Sequence, residues 1–167
     1  VQAIALVTAL KRESGAPALV VGPAWLVANW ARELSKFAPD LKVRRHHGAG
    51  RDRESAHWPE RFDVILTSYA TLAQDMPLFQ SLEFLIVIGD EAQHIKNRST
   101  QHAAALKALR AKGRFLLTGT PIENSVEDLV SLFEFLMPGY IDRSRARGLT
   151  AAQREERDAM IRKKAAP

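Results

Sequence analysis

Apolar residues fall into short unbroken runs separated by stretches with helical spacing. Ala18-Leu19-Val20-Val21, Val64-Ile65-Leu66-Thr67 and Leu85-Ile86-Val87-Ile88 are rich in β-branched side chains and read as buried strands. Arg114-Phe115-Leu116-Leu117-Thr118 is a further strand, and Leu41 to Arg45 a more modest one. Between them, Leu26, Trp30, Leu34 and Phe37 recur at intervals of four, four and three, which predicts one amphipathic helix ended by Pro39-Asp40. A first helix runs from Val1 to about Lys11 and closes at Ser14-Gly15. The polar stretch from His46 to Glu54 is a loop leading into a short helix, and Ser68-Tyr69 turns into another. Gln101 to Leu109 is a helix capped by Ser99 or Thr100. Leu129, Leu132, Phe133 and Leu136 line a last helix, stopped by Pro138-Gly139. This alternation predicts an α/β fold, a mostly parallel sheet with helices on both faces.

Composition narrows the class. The 167 residues suit one domain, and 46% hydrophobic content is ample for a core. No apolar stretch reaches the roughly 20 residues of a membrane span, and Val1 to Val7 lacks the basic leader of a secretory signal. The absence of cysteine excludes disulfides and thiolate metal sites. A soluble, cytoplasmic protein is expected. The net charge of +5 is uneven: residues 140–167 carry +4, leaving +1 for the body. A nearly neutral body argues against one strongly basic nucleic-acid face. The expected boundary therefore divides a body, residues 1–139, from a basic tail, residues 140–167, helical or disordered.

Candidate chemistry begins at Asp90-Glu91-Ala92-Gln93, which follows an apolar strand. Two carboxylates emerge at the strand's carboxyl end, where open α/β sheets place their ligands. A Mg-nucleotide ATPase needs such a pair, one acid to hold the metal and one to polarise the attacking water. Taken alone, an Asp-Glu pair is more often two solvated acids capping a strand-to-helix loop, so other signals must tip the balance. A second signal, Leu117-Thr118-Gly119-Thr120-Pro121-Ile122-Glu123-Asn124, also lies at a strand's carboxyl end. Its hydroxyls and Gly-Pro turn could bond both the acidic loop and a substrate. Trp30 falls on the apolar stripe and reads as core. His46, His47 and His94 read as exposed loop residues and His102 as a helix-surface residue, not as metal ligands.

Taken in order, these segments resemble the first RecA-like lobe of the Swi/Snf-type, helicase-like, DNA-translocating ATPases of superfamily two. The likeness runs from Val1 to about Tyr140. Gly22-Pro23 through Asn29-Trp30 and Glu33 resembles motif Ia, and Thr67-Ser68-Tyr69 motif Ib. His47-Gly48 with Arg51 resembles the family's short His-Gly loop. Asp90 to Gln93 with Ile95-Lys96-Asn97 resembles motif II, and Leu117 to Asn124 motif III. The resemblance implies a P-loop NTPase fold and, as cofactors of the complete enzyme, Mg²⁺ and ATP. It implies that Asp90 holds Mg²⁺ through water and that Glu91 orients or deprotonates the attacking water. Gln93 would sense the γ-phosphate and relay its state to the coupling residues Thr118, Gly119 and Thr120. Gly22, Pro23, Thr67, Ser68 and Tyr69 would follow one strand of double-stranded DNA by its phosphates, independent of sequence. Gly89 departs from the bulkier residue usual in the family and predicts looser packing beside Asp90.

Two of the family's parts are missing from these residues. No Gly-Lys pair occurs, so the phosphate loop that wraps the β-phosphate is expected to precede Val1, and the lobe to be incomplete at its N-terminus. No second-lobe motif follows. The chain alone is therefore expected to be incompetent for hydrolysis. Without the phosphate-loop strand, Arg114 to Thr118 is expected at an open sheet edge, which predicts self-association or burial of this edge by something outside the expected topology. The alternative is a non-catalytic module, derived from such a lobe, that docks to DNA or protein.

Overall fold

The computed structural model describes residues 1–11, 15–53, 57–95, 100–119, 126–138 and 159, with backbone only for 126–129. Ser14, Ser99, Lys96-Asn97, Thr120 to Asn124 and nearly all of the 140–167 tail lie outside the described residues. The elements in chain order are α1 (Gln2–Lys11), β1 (Ala18–Gly22), α2 (Ala24–Phe37), β2 (Val43–His46), α3 (Trp58–Arg61), β3 (Val64–Ser68) and α4 (Tyr69–Gln74). There follow α5 (Met76–Gln80), β4 (Glu83–Gly89), a 3₁₀ turn (Ala92–Ile95), α6 (Gln101–Lys107), β5 (Arg110–Leu116) and α7 (Val126–Leu136).

All five strands are parallel, in the order β2-β3-β1-β4-β5. Strand side chains alternate between faces, so each apolar run feeds two cores. Val20, Leu66, Ile86 and Ile88 pack with Ile4, Val7, Val27, Trp30 and Leu34 of α1 and α2. On the opposite face Leu19, Val21, Ile65, Phe84 and Val87 meet Leu72, Phe79, Leu106, Leu132 and Phe135 from α4 to α7. The expected architecture, a parallel sheet with helices on both faces, is the one observed. Ser68 caps α4 by accepting from the Thr71 amide, and Thr100 caps α6 by accepting from Ala103.

Departures from the sequence pattern have local causes. β5 begins at Arg110, four residues before its apolar run, because Glu83 and Phe84 of β4 pair with Arg110 and Ala111. Arg110 and Lys112 are exposed, so this half of the strand carries no continuous apolar signal. β2 runs from Val43 to His46 because Leu41 closes a turn onto the Ala38 carbonyl and Lys42 accepts from the Asp63 amide. Phe37, the last residue of the predicted stripe, is 45% exposed, while Val27 is buried beside Trp30 and Leu34.

One expectation is overturned outright: His46 is not an exposed loop residue. It ends β2 with no exposed surface, its ring against Trp58 and Phe79 at 4.9 and 5.4 Å. Its Nε2 lies 2.8 Å from Asp75 Oδ2, and Asp75 also accepts from Arg51 and pairs with Arg53. Nδ1 has no donor facing it, which fits the tautomer that carries its proton on Nε2. His47 and His94 are exposed, whereas His102 is half-buried.

Candidate active site

Parallel strands point all their carboxyl ends to one side, and there β1, β3, β4 and β5 place the candidate residues. Gly22 ends β1 and Asp90 follows β4 beside it: a Cβ built on Gly22 would lie 3.5 Å from the Asp90 Cβ. Asp90 remains tied to the sheet, its amide donating to the Val21 carbonyl at 2.8 Å. Its carboxylate is held at both oxygens. Oδ1 accepts from the Glu91 amide at 2.9 Å, and Oδ2 accepts from the Trp30 indole Nε1 at 2.8 Å.

Glu91 turns the chain sharply. Its φ of +54° lies in the left-handed region that side-chain-bearing residues avoid. The turn frees Glu91 to accept from Gln93 Nε2 at 2.7 Å, and the Glu91 carbonyl accepts from the His94 amide at 3.0 Å. Ala92 then donates to the Leu117 carbonyl at 3.0 Å. The acidic loop is thus fastened by main chain to the segment after β5, where Thr118 and Gly119 are exposed. Thr120 lies outside the described residues.

The residues expected along DNA sit at the same sheet end, with their side chains turned inward. Gly22, Pro23, Thr67, Ser68 and Tyr69 are all buried. Thr67 donates to the His46 carbonyl at 2.9 Å, and Ser68 to Thr71 Oγ1 at 2.9 Å. Tyr69 reaches across to donate to the Asp90 carbonyl at 2.8 Å, with its ring stacked near His94 and His102. Burial, with Asp90 and then Glu91 nearby, pushes the Tyr69 phenol well above its ordinary value. It stays a neutral donor. Nearby, Trp25 at the start of α2 stands 70% exposed.

Gly89 tightens this corner, contrary to the looser packing expected of it. A Cβ there would come within 2.9 Å of Leu116 Cδ2 and 3.3 Å of the Tyr69 hydroxyl. Absence of a side chain is what lets Tyr69 approach the Asp90 carbonyl.

Two supports of the acidic turn leave no signature as such in the sequence. Trp30 was legible as core, but its bond to Asp90 spans 60 positions and leaves no local signature. Tyr69 was legible as part of a segment, not as a support for the acidic turn. Among the described residues no three acidic or histidine side chains cluster as a metal cage. The donor set instead suits Mg²⁺, which is commonly bound by one or two carboxylates together with water and phosphate oxygens. Two of the roughly four acceptor positions on Asp90 are filled by protein donors, so capacity remains for metal-bound water.

Residues 1–148 match the model of the SNF2-related domain. Helicase ssl-1 of Caenorhabditis elegans is 42% identical over 126 residues, covering 73% of this chain and 5% of that protein. The chromatin-remodeling ATPase INO80 of Candida albicans is 38% identical over 137 residues, covering 75% of this chain and 10% of its own length. Among solved structures, the SWI2/SNF2 ATPase core of Sulfolobus solfataricus in complex with dsDNA is 38% identical. It superposes with a TM-score of 0.78 over 96% of this chain and 35% of that one. The chain thus spans only a small part of such proteins, and over that part both sequence and fold agree. With the family model matching residues 1–148 and the fold agreeing at 38% identity, this chain belongs to the SNF2-related domain family.

Proposed function

We propose that this chain forms part of the first ATPase lobe of a DNA translocase of the chromatin-remodeller type. The observation that carries the reading is the acidic turn. Asp90 is fixed at both oxygens, and Glu91 is held in a left-handed conformation beside it, at the open end of a parallel sheet. Strained backbone persists where its surroundings hold it and clusters at functional sites. Asp90 would hold Mg²⁺ through water, and Glu91 would orient or deprotonate the water that attacks the γ-phosphate. The metal would supply neutralisation of phosphate charge when bound with ATP. Gln93 reports on that water, a role its hydrogen bond to Glu91 supports. Thr118, Gly119 and Thr120 couple the outcome to movement, and the Ala92–Leu117 main-chain bond supports this link.

Gly22, Pro23, Thr67, Ser68 and Tyr69 track one strand of double-stranded DNA. The Thr67, Ser68 and Tyr69 hydroxyls are bonded within the protein, so main-chain groups make these contacts. That the Sulfolobus relative was solved with dsDNA supports the choice of partner. Among the described residues no helix is long and apolar enough to cross a membrane. The reading places the protein in the cytoplasm, with a body to residue 139 and a basic tail beyond it. Hydrolysis needs a phosphate loop and a second lobe in addition to these residues.

The test joins the 167 residues to a phosphate-loop segment and a second lobe. ATP hydrolysis stimulated by double-stranded DNA is expected, and Glu91→Gln should lower kcat by about 10²–10⁴-fold while DNA affinity is kept. The chain by itself should show no DNA-stimulated hydrolysis. Full activity of Glu91→Gln would remove Glu91 from the chemistry, and activity of the isolated chain would remove the claim that it is incompetent alone.

A further inference from the structure

We propose that Trp30 is a positioning residue for the Asp90 carboxylate, an inference that rests on the ATPase reading above. Indole Nε1–H is a donor with no acceptor capacity, and a buried one finds a partner. Here the partner is Asp90 Oδ2 at 2.8 Å, within the range of charge-assisted bonds. The donor cannot wander, because the Trp30 ring is locked in the same core as Val27, Leu34 and Ile88. Phenylalanine or leucine would fill much of that core volume. Only tryptophan there adds a donor aimed at the acid.

The consequence is geometric. With Oδ2 fixed by Trp30 and Oδ1 by the Glu91 amide, the carboxylate plane has one orientation, and its remaining lone pairs face one way. A metal held through water needs that constancy, since its water must donate to a stationary oxygen. Groups that orient a metal-binding side chain commonly matter about 10–100-fold in metal affinity or activity when removed. Trp30 also belongs to α2, the helix that begins immediately after Pro23. The same bond therefore ties the carboxylate to the segment proposed to lie along DNA. A shift of α2 on the duplex would be felt at Asp90.

The test has two arms. In the ¹H–¹⁵N spectrum of the 167-residue chain, Trp25, Trp30 and Trp58 each contribute one indole signal, assigned by Trp→Phe substitution. Asp90→Ala should move the Trp30 indole proton upfield and leave Trp58 in place. In the polypeptide joined to a phosphate-loop segment and second lobe, Trp30→Phe should raise the half-saturating Mg²⁺ concentration about 10–100-fold. Much of kcat should return at high Mg²⁺, with KM for DNA unchanged. An unmoved indole proton overturns the proposal, as does an unchanged Mg²⁺ requirement in an active Trp30→Phe protein. A joined wild-type protein that hydrolyses no ATP defeats the ATPase reading itself, and this inference with it. Should Trp30→Phe fail to fold, the Asp90→Ala spectrum decides, with Trp30 assigned by assigning Trp25 and Trp58.

Discussion

Glu91, at φ +54°, occupies a conformation that costs a side-chain-bearing residue about 1–2 kcal/mol. What holds it there is a set of short hydrogen bonds: its amide to Asp90, its carbonyl from His94, its carboxylate from Gln93. Glycine adopts this backbone freely but brings more chain entropy to the unfolded state. Glu91→Gly should therefore be more stable than Glu91→Ala by roughly 0.5–1 kcal/mol, measured by urea unfolding. Equal stabilities would mean that the turn stores no strain. At this scale the sequence tells type better than contact. Asp90 and Glu91 could be read as acids at a strand end, and Trp30 as core. The hydrogen bond between Trp30 and Asp90 depends on how α2 lies across the sheet, which no spacing of residues reveals. His46 was misread for the same reason: its polarity and its Arg44-Arg45 neighbours suggest a surface loop. Its burial is supplied by Trp58, Phe79 and Asp75, all distant in sequence.

Among the elements, the strands buried on both faces were legible because each is a continuous β-branched run. The entry of β5 was not, because an edge half-covered by protein alternates polar and apolar residues. In the node joining β2, the following loop and α4–α5, the loop is legible as His47-Gly48 with Arg51 but the buried His46–Asp75 pair is not, and that pair carries a pH dependence. Desolvation pushes His46 below its ordinary value of 6.5, outweighing the raising effect of the Asp75 hydrogen bond and charge. Arg51 and Arg44 push the same way as desolvation. Asp75 is itself held below the usual carboxylate range, first by the Arg51 hydrogen bond and further by His46 and Arg53. In the unfolded chain His46 takes a proton near 6.5, while the folded chain resists it. The stability at stake is thus fully present above pH 6.5 and is lost as pH falls from there through the depressed native value. The Asp75 contribution goes in the same direction at lower pH, below its ordinary 3.8. His46→Gln, which keeps a donor towards Asp75, should flatten the fall in the urea midpoint between about pH 6.5 and 5. An undiminished fall in that variant would place the titrating group elsewhere. Asp75→Ala should cost roughly 1–3 kcal/mol at neutral pH, because it leaves the His46 donor buried and unpaired.

For the molecule as a whole, the unequal treatment of the two sheet edges decides how it behaves in solution. β2 is short, with four residues, and Arg44 and Arg45 lie along it. Short, charged edges resist pairing with another chain. β5 is longer, with seven residues, and among the described residues its one strand partner is β4. Among the described residues no strand pairs with its outer side, and Phe115 in it is 42% exposed. Arg110 and Lys112 give its first half some protection, but the apolar half from Phe115 onward has none of that charge. We therefore expect self-association through β5 in the isolated chain, seen as a weight-average mass that climbs towards the dimer as concentration rises. Phe115→Lys should return it towards the monomer without changing the unfolding midpoint, since the side chain is half outside the core. Arg45→Ala on the opposite edge should have no such effect. A chain that stays monomeric at high concentration by light scattering, with the β5 amides exchanging freely with solvent, would sink this expectation. The acidic turn hangs from the end of this same strand through the Ala92–Leu117 bond, so pairing at β5 would also stiffen the loop that carries Asp90 and Glu91.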